Sequence, residues 1–69
     1  MGSTVSKYRG YGKTHKKAVH SLGAMLKFHH GNVTVHQEST SGKYYAFDGR
    51  KHYIGFDKSK GSIRAFLVD

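Results

Sequence analysis

The stretch KYYAFDGRKHYIGF, residues 43–56, decides how this chain folds. Asp48-Gly49 stands between two runs rich in aromatic and β-branched residues. Asp-Gly in that setting is the strongest short hairpin signal, because glycine accepts the positive φ of a type I′ turn. The reading is two antiparallel strands, 43–47 and 51–56, joined by a two-residue turn. In that register Tyr44 lies opposite Tyr53, Tyr45 opposite His52, Ala46 opposite Lys51 and Phe47 opposite Arg50. Each face of the hairpin then carries aromatics and a base. One face must pack and the other stay open, and the pattern does not say which.

Working outward, VTVHQES (33–39) alternates with a period of two, and TSG (40–42) is turn material. DKSKG (57–61) reads as another turn. SIRAFLV (62–68) reads as a further strand or a short helix, with Gly61 and the β-branched residues leaning it to strand. The period changes upstream of residue 32. Ala18, Val19, Leu22, Met25, Leu26 and His29 recur at three- and four-residue steps and predict a helix over 15–30. Thr14 is its expected N-cap and Gly31-Asn32 its stop. Gly23 falls on its polar side. The expected core is Leu22, Met25 and Leu26 from the helix and Val35, Phe56, Ile63 and Leu67 from the strands. Residues 1–13, with three glycines and no apolar period, read as a flexible basic arm. The predicted fold is α+β: this arm, then a single small domain over 14–69 in which one amphipathic helix packs on a three- to four-stranded antiparallel meander.

The chain of 69 residues is one domain in size and buries about 60% of its unfolded surface at best. It has no cysteine, so neither a disulfide framework nor a thiolate metal site is available. No run approaches the ~20 apolar residues of a membrane span, and none at the start suits a secretory signal. A cytoplasmic location is expected, the host's if the protein is viral. MGSTVS (1–6) matches the short, degenerate N-myristoylation pattern, and no membrane partner is expected from it.

The formal net charge is +8. All four acids, Glu38, Asp48, Asp57 and Asp69, lie in the second half, while residues 1–37 hold six Lys/Arg and no acid. Such asymmetry seeks a polyanion. The candidate nucleic-acid contacts are Lys7, Tyr8, Arg9, Tyr11, Lys13, Lys16, Lys17, Lys43, Arg50, Lys51, Lys58, Lys60 and Arg64. Their cations would neutralise phosphates and their tyrosines would stack on bases. A small nucleic-acid-binding protein of phage, plasmid or regulatory type, binding DNA or RNA, is the expected function. The alternative is an inhibitor or protein–protein interaction module that docks its basic face on an acidic partner protein. A homodimer is possible through exposed strand edges. The third reading is a minimal nuclease using His36 and His52 on neighbouring strands, with Arg50 or Lys51 beside them. Nothing marks either histidine as activated, so catalysis is not expected. His29 and His30 are adjacent, and His15 and His20 are five apart, so neither pair shares a helix face as metal ligands would. No metal or cofactor is expected.

Residues 42–57 resemble in outline the strand, tight turn and strand of integrase arm-binding and AP2-type DNA-binding domains. In those families the helix follows the sheet; here it precedes it.

Overall fold

The computed structural model describes residues 8–68. In chain order these form β1 (Arg9–Gly12), α1 (His15–His30), β2 (Thr34–Gln37), β3 (Tyr44–Phe47), β4 (Lys51–Ser59) and β5 (Ser62–Leu67). The described strands make one antiparallel sheet in the order β1-β5-β4-β3-β2, and α1 packs on one of its faces. The fold is α+β, with five strands where three or four were expected.

The helix spans the predicted residues because its end signals are local. Thr14 is extended, and its Oγ1 accepts from the Lys17 N–H at 3.1 Å. Gly31, at φ 86°, closes the other end by donating its N–H to the Lys27 carbonyl. Ala18, Val19, Leu22 and Leu26 are buried against the sheet, where Val33, Ala46, Ile54, Ala65 and Leu67 meet them. Val35, Phe56 and Ile63 pack around that cluster. Met25, expected in the core, is 38% exposed. The buried face turns instead toward Gly23, which is not on a polar side: a Cβ there would lie 2.9 Å from Val35 Cγ1. The side chain from β2 takes the space a larger residue would need.

The arm expected over residues 1–13 is corrected for its last part. Arg9, Gly10, Tyr11 and Gly12 pair with Phe66, Ala65, Arg64 and Ile63 of β5. Gly10 and Gly12, two apart on a strand, share the face toward α1. A Cβ on Gly10 would lie 2.7 Å from Leu22 Cα, and one on Gly12 2.6 Å from Lys17 Cβ. The glycines that suggested flexibility permit close strand–helix contact. Residues 1–7, the rest of that arm, lie outside the described residues.

The turns are exchanged relative to expectation. Asp48, Gly49 and Arg50 form a three-residue connection, in which Asp48 Oδ1 accepts from the Arg50 N–H at 3.2 Å and Gly49 has φ 109°. The pairing is therefore Tyr45 with Tyr53, Ala46 with His52 and Phe47 with Lys51, one residue from the predicted register. The two-residue type I′ turn occurs at Lys60-Gly61, both at positive φ, between the paired Ser59 and Ser62. Hence β4 runs through 57–59, which had read as turn, and 62–67 is strand. No helix among the described residues is long and apolar enough to cross a membrane.

Candidate nucleic-acid interface

The register sorts the hairpin's side chains. Opposed residues of an antiparallel ladder share a face. Tyr44, Ala46, His52, Ile54 and Phe56 go under α1; Tyr45, Phe47, Lys51 and Tyr53 go to the face that no described element covers. His36 on β2 lies opposite Tyr45, and their rings stack at 5.3 Å between centroids. Tyr45 meets Tyr53 edge-on at 6.2 Å. The result is an aromatic row across β2, β3 and β4. Farther along, Gly55, Phe66 and Arg9 oppose one another across β4, β5 and β1, as do Asp57, Arg64 and Tyr11. The Phe66 ring lies over Gly55, where a Cβ would meet it at 3.0 Å.

Cations decorate this face. Lys51 Nζ lies 4.8 Å over the Tyr45 ring, Lys43 Nζ 5.9 Å over Tyr53, and Arg9 Cζ 5.4 Å over Phe66. Arg64 and Lys51 also meet acids. Arg64 grips Asp57 with two guanidinium nitrogens, Nε at 2.7 Å from Oδ1, which lowers the Asp57 pKa. Glu38 accepts from Lys51 Nζ at 2.7 Å, Ser41 Oγ at 2.9 Å and Tyr53 OH at 3.0 Å. The Lys51 bond, then the Ser41 and Tyr53 bonds, hold its carboxyl down at about 2, against an ordinary 4.5. The same contact raises the pKa of Lys51 and of Tyr53.

A pH dependence follows. The Glu38 pKa is depressed on folding, so its contribution to stability is complete above pH 4.5 and disappears as pH falls toward 2. An NMR titration of the Glu38 carboxyl carbon should centre near pH 2, and Glu38→Gln should flatten the fall of melting temperature across that window. A midpoint near 4.5 would reject the three-donor arrangement.

The predicted contacts divide by place. Arg9, Tyr11, Lys51 and Arg64 lie on the open face, with Lys43 at its rim. Lys13, Lys16, Lys17, Lys58 and Lys60 are exposed at the end where β1 leads into α1 and β4 turns into β5. None of these five is ion-paired among the described residues. Arg50 is exposed in the β3–β4 connection, at the other end. Tyr8, the other tyrosine among the expected contacts, is half-buried, stacked on His29 at 4.8 Å and edge-on to His30 at 5.7 Å. Lys7 lies outside the described residues.

His36, Tyr45, Phe47, Tyr53 and Phe66 join the face without having been assigned to it. Alternation alone would have found the three on β3 and β4 had the hairpin loop been read as three residues. His36 and His52 are not brought together: β3 lies between their strands, and they face opposite sides of the sheet. His52 is buried, with Nε2 3.1 Å from Asp48 Oδ1, while His36 is exposed beside the Thr34 hydroxyl at 2.8 Å. No three His, Asp or Glu side chains gather as metal ligands among the described residues.

No protein-family model, curated protein or solved structure matches this chain.

Proposed function

We propose that the protein binds nucleic acid, with unpaired bases laid on the open sheet face and phosphates held by the surrounding lysines and arginines. The observation that carries this reading is the His36–Tyr45–Tyr53 row, left open by the described residues and bordered by Lys43 and Lys51. Every base has a π-face, so such a row binds single strands with little regard to sequence. A backbone running from Tyr53 along the open face of β4 toward its turn with β5 would pass Arg9 and Arg64 and reach the end where Lys13 and Lys60 are exposed, with Lys16, Lys17 and Lys58 at the same end on the helix side. The net charge of +8 supplies the long-range attraction.

Fluorescence anisotropy with a labelled oligothymidylate tests it. Contact with ~5–7 phosphates should give a slope of log K against log salt of about −4 to −6. Tyr45→Ala should weaken binding about tenfold with the slope unchanged, since stacking carries no counterion. Lys16→Gln with Lys17→Gln should instead reduce the slope by about 1–2. No binding at low salt, or binding indifferent to salt, would reject the reading.

A further inference from the structure

β4 outruns β3. Tyr45, Ala46 and Phe47 pair with Tyr53, His52 and Lys51, while β4 continues to Ser59. The Tyr53 carbonyl accepts from the Val68 N–H, on the β5 side, at 3.1 Å. Along an antiparallel strand, successive residues point both backbone polar groups to alternate sides. Phe56 and Lys58 therefore aim their N–H and C=O away from β5, where no strand stands among the described residues. The β2–β3 connection turns in on itself instead. The Glu38 N–H donates to the Lys43 carbonyl at 2.9 Å, and the Gly42 N–H to the Glu38 carbonyl at 2.8 Å. Between this connection and β4 lies a groove of about 780 Å³, bordered by His15, Lys43, Tyr44, Tyr53 and Phe56. The one carboxylate bonded to its lining among the described residues, that of Glu38, is already taken by Lys51, Ser41 and Tyr53.

We propose that this groove takes an extended acidic peptide segment of a partner protein, added as a further strand on the open side of β4. Unpaired strand edges template such addition, main-chain bonds supplying affinity and alternate side chains supplying choice. Side chains directed toward the helix side meet Tyr44, Phe56 and His15, which favours apolar residues there. Those directed toward the open face meet Lys43 beside the Tyr53 ring, which favours carboxylates at that end, and farther along Asp57, whose carboxylate Arg64 already holds. The fitting segment alternates acidic and apolar residues. A second copy of this chain fits poorly, since it brings +8 toward +8. A nucleic acid offers no alternating N–H and C=O row for Phe56 and Lys58 to pair with.

The test is an NMR titration of the ¹⁵N-labelled protein with an end-blocked octapeptide of alternating Glu and Val, and with its Lys and Val counterpart. The acidic peptide should shift the Phe56 and Lys58 amide signals and slow their exchange with water; the basic peptide should do neither. Lys58→Pro removes one outward N–H while leaving the β5 side of β4 intact, and should weaken binding about tenfold. Lys43→Glu, on an exposed residue, should weaken it similarly with an unchanged melting temperature, and decides the matter if the proline variant does not fold. The proposal fails if the acidic peptide causes no shift at millimolar concentration, if both peptides bind alike, or if folded Lys58→Pro and Lys43→Glu bind at full strength. It also fails if oligothymidylate shifts the Phe56 and Lys58 amides and displaces the peptide, which would make the groove part of a nucleic-acid site.

Discussion

Gly10→Val should cost about 3 kcal/mol or more and lower the melting temperature by roughly 12–24 °C. The obstacle is backbone. A Cβ at position 10 would lie 2.7 Å from Leu22 Cα and would also collide with the Leu22 nitrogen and the Ala18 carbonyl oxygen. A flexible side chain could swing aside; the middle of α1 cannot. The strand must leave the helix or the helix must leave the sheet, and either opens the core at Ala18 and Leu22, both fully buried. A small domain has only about 5–15 kcal/mol to lose. Deleting residues 1–12 should act in the same direction, because it removes β1 and uncovers the edge of β5. A reading of this segment as a loose arm expects the opposite, a melting temperature within a few degrees of the parent. Circular dichroism melts of both variants distinguish the two, and a small shift for Gly10→Val would show that β1 does not hold α1.

Leu22→Ala and Leu26→Ala should each cost ~2–5 kcal/mol, while Met25→Ala should cost less than about 1 kcal/mol. Leu22 and Leu26 are fully buried and point into the cluster of Val33, Ala46, Ile54 and Leu67, so truncation leaves a cavity that a short helix on a five-stranded sheet cannot collapse to fill. Met25 is partly exposed at the margin and leaves no such void. Urea unfolding measures all three, with unchanged slopes expected if only stability changes. Equal losses at positions 22 and 25 would mean that the helix is rotated about its axis relative to this account.

The candidate site was legible in its ingredients more than in its arrangement. Tyrosines beside lysines and arginines in 43–53 marked a face with aromatic and cationic character whichever way the hairpin turned. The predicted register, however, divided Tyr45 from Tyr53. Asp48-Gly49 suits a two-residue turn, but Asp48 Oδ1 reaching the Arg50 N–H makes a three-residue connection just as local. Turn chemistry does not separate the two. Burial does, because the slip by one residue places Ala46 and Ile54 beneath the helix and leaves both tyrosines outside. Tyr8 illustrates the converse: outside any periodic pattern, it gave no sign that the far end of the helix would bring His29 and His30 against it.

What the sequence determined by itself is whatever acts within a turn or two of chain. The helix over 15–30 follows from a capping hydroxyl, a three-to-four spacing and a terminal glycine, each satisfied by neighbours along the backbone. The strand character of 62–67 and the excess of positive charge are likewise properties of composition. Tertiary structure alone decided the fate of Gly10 and Gly12, the burial of Gly23, the register of β3 on β4 and the choice of open face. A glycine carries no side chain to say whether its freedom is used to move or to let another backbone approach. Residues as far apart as Gly10 and Ala65, 55 positions along the chain, meet only once the sheet has closed over α1.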